Sequence, residues 1–573
     1  MNKVSETKTI EEDGLIISED RKAVLGVNDN TILSIVIPDG IEIIGEYAFN
    51  DCGLLREVSL PQSVRIIKNG AFQECKYLSK INLPNGLKEI DDWAFFCCTF
   101  LKNITIPSTV TRIGDFAFSE CESLEEIVLP ESLLSLENGA FDRCTSLKKL
   151  VVPGSLKELD LSNFYHCKSL KEVELNEGVE SLEGVYLQPF KSVRSLSLPN
   201  SLIKVTGHSF SGFVNLKEIR LLPDNENVTF VNGALFSKKL KRLIRVLPIK
   251  KWKFFVPEGV TEIDSMAFQD CKYLTKVVIP DSVKIIGRYA FDGCLSLKEI
   301  TLPQKLKRIE EFTFMNCKKL RKIDIPDSVR VIDRHAFWHC NSLTQIRLPR
   351  SLTTIGVMAF PYHIQNFSID SKNKKYSIID GALYNKDITE LISVPMSIGI
   401  THFTVPDTVR KIRNYAFNGC NHIERITLPE GLLEIGRSAF RSCESLDTIT
   451  LPDGITKIPE GTFGECWTLR EVILPKNLKK IGNWAFICCG RLKSITIPKS
   501  VQFIDEYSLP CTIKEVHISY NTPKEASKVF RPVRKAEYSD DYRFIFFVPK
   551  GTKPSYMKER LFSNWLKIKE DHE

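Results

Sequence analysis

Seventeen cysteines are the residues of this chain best suited to chemistry, because a thiolate can bind zinc, form a disulfide or attack an electrophile. Fourteen of them follow a phenylalanine by three residues, from Cys52 to Cys489, and the other three are Cys97, Cys488 and Cys511. A structural zinc site needs four ligands, and neither Cys97-Cys98 nor Cys488-Cys489 has the C-x-x-C spacing. Cysteines one turn apart would lie about 5 Å from each other, within disulfide range, but equivalent side chains point the same way and the total is odd. We therefore predict a column of buried, reduced thiols with no metal and no other cofactor.

A second candidate for chemistry is a run of basic residues with no acidic residue among them. It comprises Lys238, Lys239, Lys241, Arg242, Arg245, Lys250, Lys251 and Lys253. Such a cluster can contact an anionic ligand, with an affinity that falls as salt is added. Lysines also protect an exposed edge strand against pairing with another chain. We predict the protective role and keep anion binding as the alternative; nucleic acid is not favoured as a partner.

Motifs of common enzymes were sought in the sequence. It contains no G-x-x-x-x-G-K-[ST], no H-E-x-x-H and no G-x-G-x-x-G. The segment Gly207–Ser211, GHSFS, approaches the G-x-S-x-G of a nucleophile elbow but lacks its last glycine. We predict that the protein is not an enzyme and has no catalytic residue.

The phenylalanines that precede the cysteines recur at one constant interval, for example at Phe49, Phe72 and Phe95. One unit, Lys272–Cys294, reads KYLTKVVIPDSVKIIGRYAFDGC. Its alternating apolar residues predict a strand that ends at Pro280, and a second short apolar run precedes Gly287. Ala290-Phe291 and Cys294 then predict a compact corner with a buried ring and thiol. Because no unit can form its own core, the period predicts a solenoid in which each turn packs on its neighbours.

The pattern L-x-x-I-x-L-P-x-x-L-x-x-I-G-x-x-A-F-x-x-C resembles the BspA-like class of leucine-rich repeats, over about residues 10–520. The stretch from Phe547 to Asp571 is similar to the segment that closes such proteins. The resemblance implies an α/β leucine-rich-repeat solenoid of about twenty turns, mostly β with short turns. It also implies a right-handed horseshoe or arc with a parallel sheet on its concave side. It further implies binding of other molecules, often at microbial surfaces, and no enzyme activity.

The order of the segments predicts one continuous solenoid domain. Its predicted parts are a disordered N-terminus (1–9), a capping hairpin (10–37), repeat block one (38–223), a hairpin insert with block two (224–370), a hairpin insert with block three (371–520) and a C-terminal cap (521–573). The inserts Thr229–Pro248 and Tyr376–Pro395 are interpreted as hairpins that project from the stack. In the cap, Lys553 to Trp565 predicts an amphipathic helix whose residues Tyr556, Leu561, Phe562 and Trp565 face the last turn. The irregular zones 182–213 and 361–375 fit either tolerated drift, which we favour, or a binding notch.

A partner would dock on the concave face, at positions two and four residues before each proline. The candidate residues are Glu299, Thr301, Lys322, Asp324, Gln345, Arg347, Arg425, Thr427, Thr448 and Thr450. Aromatic residues occur instead two residues before the repeat phenylalanine, as at Trp93 and Tyr289, where we predict packing between turns.

Composition is that of an ordinary folded protein, with 43% hydrophobic and 26% charged residues and a net charge of +7. The N-terminal stretch up to Ile17 has no apolar core of signal-peptide length, and no run of about 18 apolar residues predicts a transmembrane segment. A cytoplasmic location is therefore the default expectation, whereas the resemblance points to the cell surface or to secretion. We predict a non-enzymatic scaffold for protein–protein interaction. The alternative is a surface adhesin that binds host matrix or polysaccharide.

Overall fold

The computed structural model describes residues 9–183, 190–221, 225–248, 250, 252–396, 399–530, 545–558 and 567–571. Two compact units are distinguished within the chain. The first comprises Met1–Trp252, Pro257–Leu274 and Ile285–Cys294, and the second comprises Lys253–Val256, Thr275–Lys284 and Leu295–Glu573.

Most turns of the solenoid begin with a short strand that ends one or two residues before the position of the repeat proline, called here the front strand. In Glu57–Ser59 the middle residue Val58 is buried and its two neighbours are exposed, as a strand with one buried face requires. The strand pairs in parallel with Lys80–Asn82, so that Glu57 lies opposite Lys80. The front strands of the first unit are Ser34–Val36, Glu57–Ser59, Lys80–Asn82, Glu126–Val128, Lys149–Val152, Glu172–Leu175, Ser195–Leu198 and Glu218–Leu221. Those of the second unit are Lys253–Phe255, Lys276–Val278, Glu299–Thr301, Gln345–Leu348, Asn366–Ile369, His402–Thr404, Arg425–Thr427, Thr448–Thr450, Glu471–Ile473, Ser494–Ile497, Glu515–Ile518, Ile545–Val548 and Ile568–Glu570.

A second parallel ladder, formed by the side strands, follows the proline. Its strands are short, and in most of them the second residue is buried, as in Ile66–Ile67. The side strands of the first unit are Ile43–Ile44, Ile66–Ile67, Glu89–Ile90, Arg112–Ile113, Ser135–Leu136, Glu158–Asp160, Ser181–Glu183, Glu262–Ile263 and Ile285–Ile286. Those of the second unit are Arg308–Ile309, Val331–Ile332, Thr354–Ile355, Lys411–Ile412, Glu434–Ile435, Lys457–Ile458, Lys480–Ile481 and Phe503–Ile504. The strand predicted before Pro280 is therefore confirmed as Lys276–Val278, and the second apolar run also forms a strand, Ile285–Ile286.

The repeat phenylalanine lies in the corner, defined here as the residues from two before to six after it. The rings of consecutive turns stack almost in parallel, with centroids 5.1 Å apart for Phe49 and Phe72 and 5.2 Å apart for Phe118 and Phe141. A backbone ladder runs beside the rings, in which Phe49 N–H donates to the carbonyl of Ala71 at 2.8 Å. The predicted burial of Phe291 is confirmed, because its ring is fully buried.

Two residues in most corners have a left-handed backbone, at the positions two before and two after the phenylalanine. Tyr47 and Asp51, which flank Phe49, have φ of 53° and 59°. At the first position glycine replaces the larger residues in some turns: a side chain at Gly139 (φ 61°) would meet the ring of Phe116 at 2.5 Å. An aromatic residue at this position therefore packs either on an aromatic of the next turn, as Trp93 does on Phe116 at 4.8 Å, or over a glycine. This confirms the predicted packing between turns.

The predicted hairpins are three-stranded meanders, and in this respect the prediction was incomplete. Their strands are Thr9–Glu12, Leu15–Ser18 and Ala23–Val27; Val228–Val231, Ala234–Ser237 and Arg242–Val246; and Tyr376–Ile379, Ala382–Asn385 and Glu390–Ser393. The first two strands of each are antiparallel and joined by Asp-Gly or Asn-Gly with positive φ at both residues, as in a type I′ turn. The third strand pairs antiparallel with the second along one edge and in parallel with the next side strand along the other, for example Leu243 with Ile263. The inserts are thus part of the stack and do not project from it, because their third strands carry apolar residues that the core buries.

The C-terminal region extends the front sheet by the parallel strands Ile545–Val548 and Ile568–Glu570. An α-helix that the sequence analysis missed, Pro523–Phe530, buries Ala526, Val529 and Phe530 on one side. Of the predicted helix Lys553 to Trp565 the structure describes Lys553–Lys558, with Tyr556 buried; Leu561, Phe562 and Trp565 lie outside the described residues. Two 3-10 helices, Leu161–Phe164 and Gly207–Phe210, lie in corners of the first unit.

The phenylalanine stack yields a test of how local the stability of the solenoid is. We expect Phe118→Ala to destabilise its part of the first unit by about 3–5 kcal/mol, since a buried ring between two neighbours is lost. Native-state hydrogen exchange measures this as faster exchange in the turns next to Phe118. The matched control is Phe100→Ala, because Phe100 is 55% exposed and its loss should change stability by less than about 1 kcal/mol. Equal loosening of all turns in the Phe118 variant would contradict nearest-neighbour stacking.

Candidate functional site

The thiol column is built as the spacing predicts, since all fourteen cysteines of the repeat position are buried. Most of their thiols bond to the backbone of the preceding turn: Cys75 Sγ donates to the carbonyl of Phe49 at 3.1 Å, and Cys466 Sγ to that of Phe440 at 3.1 Å. Burial raises the pKa of the Cys52 thiol to about 11 and that of Cys466 to about 12. A thiol held neutral in this way is a poor nucleophile and a poor metal ligand, so the column is a packing element. Its redox state remains a prediction.

The three other cysteines lie outside the column. Cys97 and Cys488 are half-buried, and burial raises the pKa of both thiols. Cys511 is exposed. Within the described ranges, no group of three or more histidine, cysteine, aspartate or glutamate side chains is placed to hold a metal ion.

The basic cluster is smaller at the surface than the sequence analysis assumed. Arg245 is only 1% exposed, because it lies on Arg242–Val246, the third strand of the second meander. Its guanidinium donates a hydrogen bond to the carbonyl of Met266 at 2.7 Å. Arg242 is half-buried and forms an ion pair with Asp264 at 3.1 Å. Burial raises the pKa of Asp264 to about 7, against the opposing effect of Arg242. Assigning Arg245 to an exposed anion contact was therefore wrong.

The remaining members of the cluster keep their assignment as predictions. In the first unit Lys238, Lys239, Lys241 and Lys250 are exposed, and Lys238 Nζ donates to the carbonyl of Asn225 at 2.5 Å. Lys253 is exposed in the second unit, and Lys251 lies outside the described residues.

The ten candidate partner-binding residues all belong to the second unit and form its front face, the outward side chains of the front strands. Nine of them are exposed and Thr448 is half-buried. The face has two zones, which also include neighbouring front-strand residues. The charged zone contains Lys276, Glu299, Lys322, Asp324 and Arg347, and the threonine zone contains Thr404, Thr427, Thr450 and Ile473. Thr448 lies in the adjacent column, between Arg425 and Glu471.

In the charged zone, most side chains are already paired with each other. Lys276 Nζ lies 2.9 Å from Glu299 and holds the pKa of that carboxyl below its ordinary value. Lys322 Nζ lies 3.3 Å from Asp324, and Arg347 bridges Asp327 and Asp370 at 3.1 and 2.9 Å. Lys322 and Asp324 occupy a front segment that is not a strand.

The threonine zone is held in register by its parallel strands. Thr404 lies opposite Thr427, and Thr450 lies opposite Ile473, which is 51% exposed. The Thr427 hydroxyl lies 3.1 Å from Nε2 of His402. The zone therefore presents a column of uncharged β-branched side chains, next to a column that contains the exposed charged residues Arg425 and Glu471.

A third feature, the aromatic recess, lies where the corners of the second unit depart from the repeat. Gln345 pairs with Asn366, which is 21 residues later, whereas Arg425 pairs with Thr448, which is 23 residues later. The corner after Phe360 is therefore two residues shorter than a regular corner. In the following turn Val394 takes the place of the phenylalanine: its N–H donates to the carbonyl of Ala416 at 2.7 Å, just as a repeat phenylalanine donates to the equivalent alanine. The shorter corner after Phe360 and the corner that has Val394 in place of phenylalanine lie between two regular corners. Beside them is a cavity of about 570 Å³.

The wall of the aromatic recess comes from five consecutive corners. The residues are His335, Trp338 and His339; Met358 and Tyr362; Met396; Tyr415, Asn418, Gly419 and Asn421; and Arg441, Ser442 and Glu444. A smaller cavity of about 60 Å³ shares Met358, Tyr362, Tyr415 and Asn418 with it. The recess overlaps the irregular zone 361–375 at Tyr362, whereas part of the other zone, 182–213, lies outside the described residues.

A chain of aromatic rings lines one side of the recess. The centroid distances are 5.0 Å from Phe312 to His335, 4.8 Å from His335 to Trp338, 4.4 Å from Trp338 to His339 and 6.1 Å from His339 to Tyr362. Burial, with nearby cationic groups, lowers the pKa of both His335 and His339. Among the described residues, two buried polar atoms of the wall, Nδ1 of His335 and Oδ1 of Asn421, have no hydrogen-bond partner.

The parallel ladders, the constant period and the corner define a leucine-rich-repeat solenoid. A comparison with protein families matches the chain to the BspA type leucine rich repeat region over residues 28–148, 111–242, 252–391 and 396–514. The chain therefore belongs to the family of BspA-type leucine-rich repeat proteins, as the repeat pattern predicted.

Solved structures similar to this chain include three bacterial proteins. The pneumococcal vaccine antigen PcpA is 20% identical, with a TM-score of 0.43, over 74% of this chain and 89% of that one. A leucine-rich cell surface protein of Faecalibacterium prausnitzii is 21% identical, with a TM-score of 0.39, over 91% and 97%. The Treponema pallidum leucine-rich repeat protein is 32% identical, with a TM-score of 0.28, over 31% and 88%. No curated protein matches the chain, and in the described part of the chain no helix is long and apolar enough to cross a membrane.

The column structure yields a prediction for thiol reactivity. We expect iodoacetamide to modify Cys511 first and Cys97 and Cys488 more slowly, while the fourteen column cysteines react only after unfolding, because burial keeps them protonated. Peptide mapping by mass spectrometry before and after denaturation measures this, and Cys511→Ser should remove the fast phase. Disulfides between column cysteines, or stoichiometric zinc, would contradict the assignment.

The smaller basic cluster yields a second prediction, for the anion contact. We expect weak heparin binding at low salt that is lost near physiological ionic strength, where charges are screened beyond about 8 Å. Lys239→Glu with Lys241→Glu should lower the salt concentration at which the protein elutes from heparin. Lys171→Glu with Lys217→Glu, which changes the charge equally at exposed sites elsewhere in the first unit, should lower it less. Tight binding at physiological salt would show that the cluster is a functional anion site.

Proposed function

We propose that the protein is a non-enzymatic scaffold that binds another protein through the front face of its second unit. The observation that carries this proposal is the threonine zone: a column of exposed, uncharged, β-branched side chains held in register by parallel strands, with Arg425 and Glu471 beside it. Little side-chain entropy is lost when such residues are covered, because β-branched side chains are already restricted at χ1. The column itself can be buried without desolvating a charge, and Arg425 and Glu471 beside it can pair with opposite charges of the partner.

The charged zone has the properties of a rim. Its ion pairs are exposed, so each contributes little to stability, and they can exchange partners with a docked protein at small cost. Protein interfaces commonly combine a centre depleted in charge with a polar rim. The partner proposed here therefore covers the threonine zone and contacts Arg347 and Lys322 at its edge.

Photo-crosslinking in the native cell tests the proposal. With p-benzoylphenylalanine at Thr427 or at Thr450, we expect crosslinks to one and the same protein. The matched control is Lys457, an exposed side-strand residue of the same unit, which should give none of them. Thr450→Arg should weaken binding of the purified partner by about tenfold or more, since a desolvated guanidinium would lack a counter-charge. Crosslinks that are absent from both front positions, or equally frequent at Lys457, would refute the proposed face.

A second candidate function is adhesion to a polysaccharide at a cell surface. The aromatic recess favours it, because ring-lined cavities of this size suit small ligands. The two candidates use different sides of the repeat, since the front face lies before the proline and the recess lies at the corners.

A further inference from the structure

We propose that the aromatic recess binds a neutral saccharide, such as the end of a polysaccharide chain. The proposal deepens the second candidate function and does not depend on protein binding at the front face. It rests on the shape, charge and hydrogen-bonding capacity of the recess, which lies within the second unit.

The shape of the recess follows from the short corner. A complete corner would fill this space with its own chain, as it does in the regular turns. The corner after Phe360 is two residues shorter than a regular corner, and Val394 replaces the next phenylalanine. Together these changes leave a cavity of about 570 Å³, within the range of small-ligand sites. The walls remain regular because Phe337 and Phe417, which anchor the flanking corners, are fully buried.

The charge of the recess excludes a phosphorylated or otherwise strongly anionic ligand. Arg441 is the one arginine or lysine in the described wall, and its Nη2 already donates to Glu465 at 2.6 Å. Ser442 Oγ donates to the other oxygen of the same carboxylate at 2.7 Å. The lowered pKa values of His335 and His339 favour neutral imidazoles at neutral pH, so no positive charge remains to balance an anion.

The rings of the recess fit the apolar faces of a sugar. A pyranose presents C–H groups on its faces and hydroxyls around its edge, and C–H hydrogens carry partial positive charge. The faces of Trp338, Tyr362 and Tyr415 carry the negative part of the ring quadrupole and offer broad apolar area. The stack from Phe312 through His335 to Trp338 holds the indole in place, so little freedom is lost when a ligand packs on it.

The polar groups of the wall suit a ligand that can donate and accept hydrogen bonds. His335 Nδ1 and Asn421 Oδ1 have no hydrogen-bond partner in the described structure, but both atoms are buried, so a ligand in the recess does not reach them. The side chains of Asn418, Asn421 and Ser442 line the recess, and their amide and hydroxyl groups can exchange hydrogen bonds with saccharide hydroxyls. An apolar peptide side chain would cover the rings but form no hydrogen bond with these groups, and this difference favours the sugar.

Binding of three neutral trisaccharides to the full chain tests the proposal. The probes are maltotriose, cellotriose and triacetylchitotriose, followed by saturation-transfer NMR and by tryptophan fluorescence. We expect at least one to bind with a Kd in about the millimolar range or below, and Trp338→Ala and Asn421→Ala each to weaken it by about tenfold or more. The matched control is Trp484→Ala, since Trp484 is a 42% exposed corner tryptophan of the same unit outside the recess, and it should bind as the unaltered protein does.

Further outcomes decide between ligand classes. Tetramethylammonium should bind at least about tenfold more weakly than the best trisaccharide, because it cannot form hydrogen bonds with the amides of the wall. Preferential binding of that cation would indicate a cationic ligand and overturn the proposal. If Trp338→Ala alone fails to fold, as circular dichroism would show, Asn421→Ala decides the matter. Binding of none of the three trisaccharides, or preferential binding of a peptide with a terminal tryptophan, would also overturn it, whatever the crosslinks at the front face show.

Discussion

The rest of the structure depends on hydrogen bonds between equivalent residues of consecutive turns. A single turn of this chain has two very short strands and a corner, so few of its backbone groups find partners within it. Phe118 N–H donates to Ala140 in the next turn, and Glu120 N–H donates to Asp142 beside it. Because buried backbone groups need partners, this ladder fixes the register, and the register then places each phenylalanine over the next and each cysteine beneath a carbonyl.

The sequence predicted the features that repeat, because repetition averages out local ambiguity. The front strand, the buried Phe291 and the buried cysteine column all followed from spacing. Features that occur in only one turn could not be predicted from the spacing. The third strand of each meander was missed because RLIRV in Arg242–Val246 follows basic residues that suggested an exposed edge. Arg245 was misplaced for the same reason: residues Leu243 to Val246 are buried on both faces of this strand, so a charged residue there is buried whichever way it points.

Two omissions had signals that could have been used. The left-handed corner positions are marked by glycine in several turns, as at Gly70 and Gly139, so aligned repeats would have revealed them. The aromatic recess is marked by spacing, since Ile364 follows Phe360 more closely than Leu343 follows Phe337. The cluster of aromatic and histidine side chains beside it is a second signal. What the sequence could not supply is the orientation of these rings, because ring geometry depends on which corners remain complete.

The cysteine column bears on how the chain folds where disulfides can form. Before the turns stack, the column thiols are accessible to solvent and lie one repeat apart along a flexible chain, so each can react with many others. Each turn that docks buries one thiol. The S–H group then donates a hydrogen bond to a backbone carbonyl, as Cys144 Sγ does to that of Phe118 at 3.2 Å. Docking and oxidation therefore compete for the same sulfur atoms. Growth of the stack from any folded segment progressively protects the chain from mispaired cross-links, so the speed of stacking sets the yield of native protein in an oxidising solution.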